Sequence, residues 1–123
     1  MPIVEIRALP QPGVEIESVL AAVTHELAAL LGEEPRGSWA TWEEIEAGRY
    51  SEGGDAPPLQ PRSTHPPLVR VSAFEGREPA LVTRMLETVA VTLARELELE
   101  PGNVFVRYEE LRSGRLYTGG SAR

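Results

Sequence analysis

The chain repeats itself. Residues 39–54, WATWEEIEAGRYSEGG, return at 105–120 as FVRYEELRSGRLYTGG, a shift of 66 positions. Glu43/Glu109, Glu44/Glu110, Gly48/Gly114, Arg49/Arg115, Gly53/Gly119 and Gly54/Gly120 are identical across it. Aromatic residues match at Trp39/Phe105 and Trp42/Tyr108, and Glu34-Pro35 returns as Glu100-Pro101. The opening segment PIVEIRAL, from Pro2, returns as PLVRVSAF from Pro67 at a shift of 65, so one residue was gained or lost in an intervening loop. A duplicated unit has to form the same substructure twice, which removes most folds from consideration. We divide the single domain 1–123 into repeat one at 2–54, a Gly/Pro-rich linker at 55–66 and repeat two at 67–120.

Each unit has the same internal order. Residues 3–9 and 68–74 are rich in Val, Ile and Leu and alternate, as strands do. Ile16, Val19, Leu20, Val23, Leu27, Leu30 and Leu31 recur at helical spacing, as do Val82, Met85, Leu86, Val89, Leu93 and Leu97. The first helix is expected from near Gly13 to Gly32, and the second carries Pro79 in its first turn, where a missing N–H is harmless. Strands at about 39–45 and 104–111 complete the units. A βαβ unit has parallel strands and a right-handed crossover. Two of them predict an α/β fold: a four-stranded mixed sheet with two helices on one face. Val4, Ile6, Ala8, Val69, Val71 and Ala73 should meet those helices, leaving Glu5, Arg7, Arg70, Ser72, Phe105 and Arg107 on the other face. That polar face is either solvated or lines the interior of an oligomer.

Composition narrows the chemistry. With 41% apolar and 25% charged residues, 123 residues can bury a core of their own. There is no cysteine, so disulfides, thiol nucleophiles and thiolate metal sites are excluded. All 12 basic residues are arginine, which excludes lysine Schiff bases, a pyridoxal phosphate anchor and a Walker lysine. A net charge of -7 with scattered arginines argues against nucleic acid as partner, and no apolar run is long enough for a membrane span. A cytoplasmic setting is expected. His25 and His65 are forty residues apart and form no metal signature, so neither a metal nor a cofactor is expected. Glu43-Glu44 and Glu109-Glu110 are strand neighbours that point to opposite faces, so they cannot act as paired acids.

Four features together resemble the tautomerase superfamily, which includes 4-oxalocrotonate tautomerase and macrophage migration inhibitory factor. They are Met-Pro followed at once by a strand, the duplicated βαβ, EGRE at 75–78 opening the second helix, and NVFVRYEELRSGRLYTGG at 103–120. The resemblance implies a homotrimer with its sheets facing inward. It also implies a site at the amino-terminal proline, beside a subunit interface, acting on a small-molecule carboxylate. Isomerisation of small 2-oxo or 2-hydroxydienoic acids is the activity implied first. A decarboxylase or hydratase of the superfamily, or a non-catalytic trimeric binding module of the same fold, is the alternative.

Pro2 is the expected proton carrier. Removal of Met1 leaves a secondary amine, and an α-amino group has a pKa of roughly 7.7–8.0 that burial beside cations lowers towards neutrality. Pro67 cannot share that role because Pro66 acylates its nitrogen. By the resemblance Arg77 binds the substrate carboxylate; planar, bidentate pairing is what a guanidinium offers. Arg107 falls mid-strand on the polar face, where it either pairs with Glu5 or Glu43 or meets an anionic ligand such as a developing enolate. Phe105, Trp39 and Tyr50 are the expected aromatic substrate contacts. The chain departs from the pattern at Glu33, where migration inhibitory factor has a lysine. It departs again at Phe105 and Trp39, which align with the second arginine of 4-oxalocrotonate tautomerase. The C-terminal RLYTGGSAR offers no acid to activate water, which disfavours hydration chemistry.

Overall fold

Apolar residues at alternate positions of the two proline-led segments have one place to go once each segment is followed by an amphipathic helix. In the computed structural model, which describes residues 1–123, both segments are strands backed by helices. The elements are β1 (Ile3–Ala8), α1 (Ile16–Leu31), β2 (Trp39–Glu44), β3 (Leu68–Phe74), α2 (Pro79–Glu96), β4 (Phe105–Leu111) and a small terminal hairpin, β5 (Tyr117–Thr118) and β6 (Ser121–Ala122). The four long strands form one mixed sheet in the order β2-β1-β3-β4: β1 runs parallel to β2, β3 parallel to β4, and β1 antiparallel to β3.

The repeat is a rotation. Across β1 and β3 the register pairs Ile3 with Ser72, Glu5 with Arg70 and Arg7 with Leu68. Because 5 and 70 are repeat equivalents, an approximate two-fold axis passes through the Glu5–Arg70 pair. The core obeys it. Val4, Ile6 and Ala8 are buried with their mates Val69, Val71 and Ala73, and the helical stripe Val19, Val23, Leu27 is buried with its mates Met85, Val89 and Leu93. The i, i+4 spacing puts each stripe on one helix face, and sheet and helices close a single apolar cluster.

The first helix starts later than its periodicity suggests, at Ile16 rather than near Gly13. Gly13 has φ 86 and the Val14 N–H donates to the Gln11 carbonyl at 3.3 Å, so residues 11–14 are spent in a turn. Its end is as expected: Gly32, at φ 66, terminates α1 in the left-handed conformation.

Residues 55–66 are tied to both units. The Gln60 N–H donates to the Pro10 carbonyl at 2.9 Å, and the Glu100 N–H donates to the Arg62 carbonyl at 3.1 Å. The Asn103 amide, buried, faces the carbonyls of Thr64, Arg62 and Pro61 at 2.9, 3.0 and 3.3 Å. His65 is fully buried, with Nε2 2.7 Å from the Asp55 carbonyl and Nδ1 2.9 Å from Thr64 Oγ1. Asn103→Ala removes one donor group from this cluster while the Arg62 carbonyl keeps the Glu100 N–H and the Pro61 and Thr64 carbonyls keep the Gln60 amide, and it is expected to cost about 0.5–1.5 kcal/mol, read as a lowered urea midpoint at unchanged slope.

Candidate active site

Pro2 is buried at the end of the sheet, with its carbonyl accepting from the Trp39 N–H at 3.0 Å. Pro67 is buried in the matching place and accepts from the Phe105 N–H at the same distance. The repeated proline therefore does the same structural work twice: it lacks an N–H, starts a strand and anchors the parallel neighbour. What surrounds the two corners differs.

At the Pro2 corner β3 ends at Phe74 and runs into the loop 75–78, which carries Arg77. Arg77 is largely enclosed. Its Nη1 lies 3.4 Å from the Phe74 carbonyl, and its Nη2 lies 3.9 Å from Oε1 of Glu33, just past the end of α1. The same loop is braced by two carboxylates: Gly76 N–H to Glu110 at 3.4 Å, and Ser113 N–H to Glu75 at 2.8 Å. Ser38, buried immediately before Trp39, has a hydroxyl with no hydrogen-bond partner in the chain. On the face of the sheet away from the helices, Ile3, Trp39, Phe74, Leu111, Leu116 and Tyr117 line an apolar hollow of about 110 Å³, which Met1 also lines. Trp39 and Tyr117 keep 45% and 75% of their surface exposed there, more than a closed core would leave.

At the Pro67 corner the position matching Arg77 is Pro12. Gln11 Nε2 donates to the Leu97 carbonyl at 2.7 Å, just past the end of α2, and His65 and Asn103, two residues before Pro67 and Phe105 respectively, are buried. That corner has an acylated nitrogen and no cation at the matching position.

The remaining candidates lie elsewhere on the polar face. Thr41, Glu5, Arg70 and Arg107 sit in one row across the four strands. Together with Arg7, Glu43, Leu68 and Phe105 they border a depression of about 330 Å³. Glu5 is taken by Arg70, which also reaches Glu109 at 3.6 Å. The hydrogen bond and charge of Glu5, then the charge of Glu109, hold the Arg70 guanidinium above the usual arginine range. Arg107 consequently pairs with neither Glu5 nor Glu43; it is exposed and makes no ion pair in the chain, and neither does Arg7. Phe105 is on this face at the β4 edge, 52% exposed.

Tyr50 stands apart from Pro2. Its hydroxyl donates to the Pro66 carbonyl at 2.7 Å and its ring meets the edge of His65 at 5.1 Å between centroids. Leu116, its repeat mate, lines the apolar hollow instead. Burial, then the charge of Glu52, raises the Tyr50 phenol above its ordinary value of 10.0. A raised folded pKa stabilises the protein fully below the unfolded value, and that contribution is lost as pH rises through the folded one. A tyrosinate absorbance titration should therefore show one tyrosine ionising later than the others, and Tyr50→Phe should remove that late phase.

The structure thus brings Pro2, Arg77 and Trp39 to one end of the sheet, with Phe105 and Arg107 towards the other end of the same chain and Tyr50 against the 55–66 segment. Sequence reasoning noted Glu33 only as a departure and did not place it on Arg77. A Glu one residue past a Gly helix stop, one loop from the strand end, was the available signal.

No protein-family model and no curated protein matches the sequence. Solved structures do. A fused 4-OT described as a wild-type asymmetric trimer superposes with a TM-score of 0.82 at 17% identity, covering 98% of this chain and 94% of that one. Pt0534, solved after inactivation by 2-oxo-3-pentynoate, gives 0.84 at 16% identity over 98% of this chain and 94% of its own. Macrophage migration inhibitory factor of Toxoplasma gondii gives 0.71 at 11% identity over 98% and 99%. At such identities the likeness is one of architecture alone, and the fold is tautomerase/MIF-like: a duplicated βαβ unit with both helices on one face of a four-stranded mixed sheet.

Proposed function

We propose that the chain is a keto-enol isomerase of small 2-oxo or 2-hydroxydienoic acids, with the Pro2 nitrogen carrying the proton once Met1 is removed. The observation that carries this reading is the asymmetry of the two corners. Only the Pro2 corner combines a proline whose nitrogen removal of Met1 would free, a largely enclosed arginine and an adjoining apolar hollow. The inactivation of a structural neighbour by 2-oxo-3-pentynoate supports a 2-oxo acid as the substrate class.

With Met1 in place the nitrogen of Pro2 is an amide and has no basic lone pair. Freed, it is a secondary amine whose burial disfavours the charged form, so it can act as a general base near neutral pH. It takes the proton from the enol hydroxyl, and the resulting prolinium returns a proton to carbon as the carbonyl forms; atoms and charge balance over the cycle. Arg77 holds the carboxylate. Arg107 stabilises the negative charge that develops on the enolate oxygen, a kind of preorganised contribution worth about 3–4 kcal/mol. In one chain Arg107 is mid-β4, so this role assigns it to the site of a neighbouring subunit.

The homotrimer we propose draws support from the trimeric fused 4-OT. Unpaired Arg7 and Arg107 and exposed Trp39 and Phe105, all on the polar face, add to it. No helix is long and apolar enough to cross a membrane, and the setting we propose is cytoplasmic. The test combines intact mass of the purified protein with ketonisation of phenylenolpyruvate and 2-hydroxymuconate and product identification. Turnover to the keto acid by chains lacking Met1 is expected. A retained Met1 without turnover moves the chain to a non-catalytic binding module, and loss of carbon dioxide or uptake of water moves it to a decarboxylase or hydratase.

A further inference from the structure

We infer that the Pro2 corner selects a monocarboxylate with an apolar or aryl tail over a dicarboxylate, and that Glu33 is the residue that rejects the second charge. Two independent observations meet here. One is the ion pair on Arg77, at 3.9 Å with both side chains partly solvated, longer than a good hydrogen bond. A bidentate substrate carboxylate is a better partner for a guanidinium and displaces Glu33 from it. Once that happens Glu33 is an unneutralised carboxylate beside the bound acid, and any further anion there meets like charge.

The other observation is the hollow next to the site. None of the eight residues lining it is charged: its walls are Ile3, Trp39, Phe74, Leu111, Leu116 and Tyr117, with Met1 and Thr118. Phe74 links the two halves, since its carbonyl faces Arg77 and the residue also lines the hollow. A volume of about 110 Å³ is of the order that holds a phenyl ring, and removal of Met1 opens it further. An apolar tail gains by entering it, whereas a carboxylate would lose its hydration there without finding a charged side chain among its walls.

The inference rests on the isomerase reading for turnover only, so it is tested by binding. Calorimetric titration of the purified protein, its N-terminus read by mass, uses 3-phenylpropanoate and adipate as unreactive probes. The expected result is binding of 3-phenylpropanoate at least about tenfold tighter than adipate, about 1.4 kcal/mol. Glu33→Gln should narrow that ratio by about fivefold or more. Adipate binding as tightly in the wild type, a ratio unmoved by Glu33→Gln, or binding of neither probe overturns the inference. The wild-type ratio needs no variant to fold. The expected ratio without ketonisation of phenylenolpyruvate overturns the isomerase reading and leaves the selectivity standing.

Discussion

Replacing Pro2 by alanine is expected to lower kcat for ketonisation by about 10²–10⁴-fold, the range a positioned general base contributes. That corresponds to roughly 3–5.5 kcal/mol of transition-state stabilisation. Alanine keeps an amine after Met1 is removed, but a primary one on a freely turning backbone, whereas the proline ring is buried and its nitrogen is fixed by ring closure. The structural part of Pro2 survives the change, because the Trp39 N–H to Pro2 carbonyl bond is made by backbone. Circular dichroism and assembly size should therefore be unchanged, which separates lost chemistry from lost fold. Chains that retain Met1 should show the same loss, so that activity scales with the processed fraction measured by mass. Comparable rates in the variant and the wild type would remove Pro2 from the mechanism.

Most of the scaffold was legible because the repeat made each segment testify twice. Alternation in PIVEIRAL could be a strand or a loop by itself; the same alternation in PLVRVSAF, each followed by an i, i+4 stripe, leaves one arrangement. Gly32 stopped α1 where its lack of a Cβ made the left-handed turn easy. Its repeat mate Glu98 makes the same turn at φ 53 and carried no such sign. The corner chemistry was legible where residue type decides it: a nitrogen acylated by Pro66 cannot be a base.

What was not legible was set by long-range partners. Glu5 lies opposite Arg70 only because the two-fold axis passes between them, and that pairing left Arg107 unpaired. In two identical halves this position would face its own copy, Glu against Glu or Arg against Arg. Glu opposite Arg therefore favours the joined pair over two identical halves. The 55–66 segment read as a connector from its glycines and prolines. Its grip depends on Asn103, 39 positions from Thr64, and on the burial of His65, neither of which local composition signals.

The core offers the sharpest test of whether the duplication is energetic as well as geometric. Leu27 and Leu93 are repeat mates, each fully buried in the one apolar cluster. Truncation of either to alanine removes three buried carbons and leaves a cavity that its neighbours fill only in part, so each should destabilise by about 2–5 kcal/mol. Val91→Ala, on the exposed side of α2 at 61% exposure, should stay within about 0.5 kcal/mol and serves as the control. Because both leucines sit in one cluster spanning α1 and α2, the double variant should lose less than the sum of the singles, with a coupling of about 0.5–3 kcal/mol. The second deletion relaxes into space the first has already loosened. Urea unfolding at one fixed protein concentration checks this, since the proposed assembly would add a concentration-dependent contribution common to all variants that still assemble. Strict additivity would mean that the two helices rest on the sheet independently, and that the two-fold axis relates their positions but not their packing.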